Sequence, residues 1–410
     1  MIIFILLSLS LTLEDAIEMG LRESPSYLQA KKEFLISQKT NASAYSDLLP
    51  SASAGYVEAR TRSRLDGLEN YDSVDSYYNV RMEWDLTLGD FLNAFAAHYG
   101  NSSVYFSFME TRNQTIYEIV SQYLNTLKLE KLFESRETAV KRTENNLKLI
   151  EEKKRLGSAS NAEVLQGKVN NLQAQYDLME TEKNRKLYLL RLKKLIGFPA
   201  GDSLLLEEPK VDFKMPEKDS ILILAMDKDP LINEYDSELK KARFDFTNTS
   251  MNSIFTVSLG AIYQYQDSRV PNSALLHDNY DYSIGFSISI PLFTGFSRVN
   301  DLLIAELKVD LAELRLEERE KELQISVEED YMLYEEAGKK LQLAETTLSF
   351  AEESHKAASE RYRLGESSMI ELLGAEEDLL RAQYSLTEAR FDWYLSLYRL
   401  KRLMGRLYEE

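Results

Sequence analysis

The chain has no cysteine among its 410 residues. That excludes disulfides, thiolate metal sites and lipid-modified cysteine. Histidine is scarce: His98, His277 and His355 stand far apart and in no metal-binding spacing. Gly-rich phosphate loops and nucleophile elbows are missing, so the reading is of a non-enzyme with no catalytic residue, cofactor or metal. Bases are outnumbered, 49 against 67 acids, for a net charge of −18. An acidic balance of that size argues against nucleic acid as partner and favours solubility or attraction of cations. Long apolar runs are absent too. Met1-Ile2-Ile3-Phe4-Ile5-Leu6-Leu7 stops at Ser8 with no base ahead of it, and residues 1–10 read as a signal-peptide remnant. Nothing else approaches the ~20 apolar residues of a spanning helix. A membrane crossing by this chain therefore needs a β-barrel.

Proline is confined to positions 25, 50, 199, 209, 216, 230, 271 and 291, which leaves 92–198 and 292–410 uninterrupted. Both stretches are rich in Leu, Ala, Glu, Lys and Gln, which favour helix. Val327, Tyr331, Tyr334, Ala337, Leu341, Ala344, Leu348, Ala351, His355 and Ala358 recur by threes and fours, a coiled-coil-like seam. An unbroken helix over 297–362 would be roughly 100 Å long.

The second half repeats the first. Residues 155–197 fall on 363–405 without a gap, with 19 of 43 positions identical. Pro25 and Gly55 match Pro230 and Gly260. Each copy contains Arg-Leu-Gly, where Gly157 or Gly365 caps a long helix and Ser160 or Ser368 caps the next. Period-2 alternation precedes each long helix, as in Tyr282, Ile284, Phe286, Ile288, Ile290 and Leu292 against Ser283, Gly285, Ser287 and Ser289. The reading is mainly α with a small β portion. The first repeat is 11–205, with strands about 47–62 and 76–89 and helices about 92–156 and 160–196. The second is 206–410, with strands about 253–267 and 280–292 and helices about 297–362 and 368–404. Residues 198–222, with three prolines, read as an extended linker. Four strands of ~10–12 residues with one apolar face suit a lipid-facing sheet, but a membrane barrel needs ~8, so the chain must then oligomerise. The competing reading is a soluble periplasmic or cytoplasmic coiled-coil scaffold, which has no need of strand pairs duplicated at matching places.

Leu11-Thr12-Leu13-Glu14-Asp15-Ala16 with Pro25, Leu49-Pro50, Ile290-Pro291-Leu292-Phe293-Thr294-Gly295, the Arg-Leu-Gly-x-x-Ser reversals and the Leu-Ile-Gly and Leu-Met-Gly ends occur in order. Over about 11–405 this set resembles the TolC-like outer-membrane efflux proteins. The resemblance implies a homotrimer, with a 12-stranded outer-membrane β-barrel continued by a periplasmic α-helical barrel. It also implies a passive exit duct in tripartite efflux or type I secretion. Its partners would be a periplasmic adaptor (membrane fusion) protein, an inner-membrane transporter and outer-membrane lipid. By the same resemblance, Arg155, Leu156, Gly157, Arg363, Leu364 and Gly365 are adaptor-docking tips. Glu371 and Tyr362 are candidates for the aperture, with Glu371 as a cation constriction; Glu163 is its counterpart in the first repeat. The family's second carboxylate and its bridging arginine are replaced here by Gly374 and Ser367.

Overall fold

A computed structural model describes residues 10–63, 71–209, 215–278 and 280–407. The signal-peptide reading lies, except for Ser10, outside them. In chain order the elements are β1 (Ser10–Leu11), α1 (Leu13–Glu23), α2 (Pro25–Ser46), β2 (Ser51–Ser63), β3 (Tyr71–Thr87), α3 (Leu88–Arg155), α4 (Asn161–Leu195), β4 (Leu205–Leu206) and α5 (Lys218–Lys228). There follow α6 (Pro230–Ile254), β5 (Thr256–Asp267), α7 (Ser273–Asp278), β6 (Asp281–Ser289), α8 (Ser297–Leu364) and α9 (Met369–Leu403). The duplication is visible in the lengths. Helices α3 and α8 have 68 residues each, α4 and α9 have 35 each, and α1 and α5 have 11 each.

Local chemistry sets the boundaries. Helix α3 starts at Leu88, earlier than proline spacing suggests. Thr87 N–H donates to Asp90 Oδ2 (2.7 Å) and Asp90 N–H to Thr87 Oγ1 (3.2 Å), a reciprocal cap at the end of β3. Strand β6 ends at Ser289, short of 292, because Pro291 has no N–H for the ladder. Ser160 and Ser368 cap α4 and α9 through the N–H groups of Glu163 and Glu371, each at 3.2 Å. Gly157 (φ 76°) and Gly365 (φ 83°) are left-handed. Ser158 N–H bonds Lys153 C=O and Glu366 N–H bonds Arg361 C=O, both at 2.8 Å, so the two turns are closed in the same way.

The segment joining the repeats is not simply extended. Leu205 and Leu206 pair in parallel with Ser10 and Leu11, and α5 already begins at Lys218. Tyr123 holds this belt down. Its hydroxyl lies 2.7 Å from the carbonyl oxygens of both Leu11 and Glu207 and accepts from Glu207 N–H at 3.0 Å. Burial pushes the Tyr123 phenol well above its ordinary pKa.

The chain divides into two compact units, each drawn from both repeats. One comprises Met1–Lys31, Phe108–Pro230 and Glu320–Glu410; the other comprises Lys32–Ser107 and Leu231–Arg319. The first has a core of Leu11, Ile17, Ile116, Ile119, Tyr123, Leu124, Leu192, Ile196 and Phe391. Its long helices lie side by side in the order α4–α3–α9–α8. Arg136 on α3 pairs with Asp177 on α4 at 3.1 Å, and Ser135 on α3 with Gln383 on α9 at 3.2 Å. Tyr334 on α8 meets Trp393 on α9 with ring centroids 6.3 Å apart.

The second unit carries an antiparallel sheet in the order β2–β3–β5–β6. It also carries the parts of α2, α3, α6 and α8 that fall in its range. Phe34 of α2 meets Tyr105 of α3 (5.3 Å), Phe244 of α6 meets Phe95 of α3 (5.6 Å), and Arg243 of α6 pairs with Glu313 of α8 (2.6 Å).

The glycines differ in what they require. A Cβ added at Gly365 or at Gly374 meets nothing within 4 Å, but only Gly365 has a positive φ. Gly365→Ala is expected to destabilise by about 1–2 kcal/mol, the cost of a left-handed side-chain residue. Gly374→Ala, inside α9, should stabilise by about 0.5–1 kcal/mol. Thermal unfolding followed by circular dichroism will show opposite shifts in Tm.

Candidate functional site

Strand register brings most apolar residues of the four strands to one face, while Val57, Tyr77 and Ile262 fall on the other. Ala52 opposes Met82, Ala54 opposes Val80 and Tyr56 opposes Tyr78. Met82, Trp84 and Leu86 oppose Tyr263, Ala261 and Leu259. These in turn oppose Tyr282, Ile284 and Phe286. The other face carries Ser51, Ser53, Asn79, Arg81, Glu83, Ser258, Gln264, Ser283 and Ser287. There the Ser258 and Ser287 hydroxyls are 2.7 Å apart, and Arg81 pairs with Glu83 at 3.2 Å. Nothing described covers the apolar face at β6, where Tyr282, Ile284, Phe286 and Ile288 are exposed. The outer edges of β2 and β6 have no strand partner among the described residues.

The helix palisade is open in the same way. Leu165, Val169, Leu172, Tyr176 and Met179 recur by fours and threes along α4, and each is between 56% and 64% exposed. Ile325, Met332, Leu343 and Phe350 make an exposed stripe on α8. These are the two outer helices of the row.

At the reversals the four helix ends share a small core of Ile150, Val164, Tyr362, Met369 and Leu372. Lys153 at the end of α3 donates its ammonium to the main-chain carbonyl of Tyr362 and stands 4.0 Å from the centre of its ring. The Tyr362 hydroxyl is buried without a hydrogen-bond partner among the described residues. Burial, then the charge of Glu163, raises its pKa. Arg155, Leu156, Gly157, Arg363, Leu364 and Gly365 are all exposed, with Leu156 at 75% and Leu364 at 66%. Each reversal thus presents one large apolar side chain directly after an arginine.

Glu371 is not a free carboxylate. Its Oε1 takes a hydrogen bond from Arg361 at 2.7 Å, with both side chains about half exposed. A pair so exposed contributes little to stability, at most about 1 kcal/mol. Glu163 caps its own helix, its Oε2 accepting from Ser160 N–H at 2.6 Å. Gly374 opens onto a groove of ≈ 760 Å³ formed by α3, α4 and α9, and the Ser367 hydroxyl has no partner among the described residues.

One group was missed by sequence reasoning. Glu376 is buried at 2% exposure, taking a hydrogen bond from Asn146 Nδ2 at 2.8 Å, with His355 Nε2 3.3 Å from the same oxygen. Arg142 Nε stands 3.1 Å from its other oxygen, close enough for an ion pair though not aligned as a hydrogen bond. This node joins α3, α8 and α9. The visible signal was a carboxylate between Leu372, Ala375 and Leu379 on an otherwise apolar helix face. Among the described residues no cluster of His, Asp and Glu could hold a metal, and no helix is long and apolar enough to cross a membrane.

Glu376→Ala leaves Arg142 uncompensated and should cost about 3 kcal/mol, whereas the double change Arg142→Met with Glu376→Met should recover most of the loss. Thermal melts of the three proteins measure the difference.

Residues 224–406 match the family of outer membrane efflux proteins. Nodulation protein T of Rhizobium leguminosarum bv. trifolii is 20% identical over 392 residues, 93% of this chain and 82% of that protein. The outer membrane protein VceC of Vibrio cholerae superposes with a TM-score of 0.79 at 20% identity, covering 96% of both chains. The CmeC outer membrane channel of Campylobacter jejuni gives 0.81 at 16% identity over 97% of this chain and 86% of its own. With its register and its duplicated hairpins, the chain has the fold of these outer membrane channels over nearly its whole length, and its residues 224–406 carry the sequence pattern of the outer membrane efflux proteins.

Proposed function

We propose that three copies of this chain form a passive outer-membrane exit duct for a tripartite efflux pump or type I secretion system. The observation that carries the reading is the set of open edges. The outer edges of β2 and β6 have no strand partner among the described residues, and α4 and α8 end the helix row with exposed apolar stripes. Unpaired edge strands of 13 and 9 residues invite pairing with another chain. Each stripe residue, once buried, is worth about 1.5–3 kcal/mol. The repetition closes a ring: β6 of one copy pairs with β2 of the next, and α8 of one copy packs on α4 of the next. Two copies would supply too few helices for a wide duct, and the family's arrangement favours three, hence 12 strands. The apolar sheet face then meets lipid and the polar face lines the lumen.

The duct carries out no chemical step; energy comes from an inner-membrane transporter linked through a periplasmic adaptor. Leu156 and Leu364, each flanked by arginine, suit a partner with apolar knobs and acidic neighbours, which is the part an adaptor plays. At the aperture, Arg361 competes for Glu371, so a cation bound there must displace the guanidinium. Three such carboxylates around a narrow opening favour cations, and most strongly those of high charge.

Leu172→Glu should shift the detergent-solubilised protein from trimer to monomer in light scattering while leaving its helical circular dichroism in place. A wild-type protein that is monomeric would sink the duct. In planar bilayers the wild type should give discrete conductance steps blocked from one side by a trivalent cation. Glu371→Gln should weaken that block by about tenfold, equivalent to about 1.4 kcal/mol. Block unchanged by Glu371→Gln removes Glu371 from the constriction.

A further inference from the structure

We propose that the groove formed by α3, α4 and α9 binds amphiphilic organic cations, with a primary ammonium held by Glu376 and an apolar body laid along α9. The proposal goes beyond the duct reading and does not need it, because every residue lining the groove comes from a single copy. The groove holds ≈ 760 Å³, within the range of about 300–1,000 Å³ typical of small-molecule sites. Ile370, Leu373 and Leu380 of α9 give it an apolar wall, with Ile370 82% exposed. Gln166, Asn170 and Gln173 of α4 contribute amides. Glu371, the candidate carboxylate of the aperture, does not line the groove, so the two sites are separate.

Charge in the groove favours a cation. The carboxylates of Asp177, Glu376 and Glu377 stand against the guanidinium groups of Arg136 and Arg381. Arg136 is taken by Asp177 at 3.1 Å and Arg381 by Glu377 at 3.0 Å, which leaves Glu376. Its ion-pair partner Arg142 is not part of the lining, and Arg142 Nε, 3.1 Å from Oε1, is not aligned to donate. Oε1 therefore accepts no hydrogen bond among the described residues, although Glu376 is only 2% exposed. A buried acceptor without a donor costs free energy that a ligand's donor recovers. The last torsion of a glutamate is soft, so a small turn of the carboxylate brings Oε1 to a ligand in the groove. An ammonium offers three N–H groups on one compact charge. Access comes from Gly374, where an added Cβ would meet nothing within 4 Å. Gly374 and Glu376 stand where the first repeat has Gln166 and Lys168. One change removes a side chain and the other reverses a charge, and both fall on the same turn of α9.

The test titrates the full chain, in phosphatidylcholine nanodiscs, with para-fluorophenylbutylamine and reads the bound fraction from the fluorine NMR line width. Empty nanodiscs correct for partition into lipid. The matching alcohol and carboxylic acid share the amine's tail and lack its positive charge. The site predicts saturation at one amine per protomer, with the alcohol and the acid at least about tenfold weaker. Gly374→Leu fills the opening without touching Glu376 and should abolish saturable binding while circular dichroism shows the helices intact. Glu376→Gln should weaken the amine about tenfold, whereas Glu377→Gln, at an exposed pair, should change it by less than about twofold. An amine that binds no tighter than the alcohol overturns the proposal. So does saturation that survives Gly374→Leu, binding unchanged by Glu376→Gln, or no saturation at all. None of these results touches the duct, which stands or falls on oligomeric state and conductance.

Discussion

The sheet and the helix row of this protein are held together side by side and left bare, among the described residues, at their outer edges and at the β6 face. The sheet has neighbours within its plane but no described layer packed on its apolar face at β6. The helices of the larger unit stand in a row, with α4 and α8 at its ends. A sheet or an amphipathic helix is stable only when its apolar surface is removed from water. Here a single copy does not remove it. Lipid on one face and further copies at the edges would satisfy the same requirement, and the proposed outer-membrane duct supplies both.

Duplication explains how one chain supplies such a row, and divergence between the repeats follows position within it. Helices α4 and α9 share length, cap and closing glycine. Their side chains differ where their neighbours differ. Val169 and Met179, exposed on the end helix, become Glu377 and Thr387 in α9, which lies between α3 and α8. Lys168, at the surface beside Glu151, becomes the buried Glu376 that meets α3 and α8.

Charge is handled locally. Much of the acidic excess sits on helix surfaces, where Glu182–Lys186 and Glu336–Lys340 pair at i,i+4. The node at Glu376 is different, because a buried carboxylate with three polar partners fixes which helices meet and at what height. It stands close to the reversals, where Lys153 already ties α3 to the carbonyl of Tyr362. Polar contacts with strict geometry thus occur near the reversals as well as at the Tyr123 belt, while the stripes on α4 and α8 are apolar.

What the sequence determined by itself is what depends on residues close together in the chain. Gly157 and Gly365 had to be left-handed because a helix ends there and only glycine enters that region freely. Alternation at 282–292 required a strand with one apolar face, and the matching lengths of α3 and α8 came from one repeated pattern. Tertiary structure decided the rest. That α3 stands beside α9, that Glu376 meets Arg142, and that Glu371 is paired to Arg361 depend on contacts the local pattern does not encode. Some of those partners lie more than 200 residues apart. The four apolar strand faces coincide only because the register aligns them. Propensity and capping act within a turn or two, whereas side-by-side order is chosen by the burial of whole faces, and that choice exists only once the chain has folded.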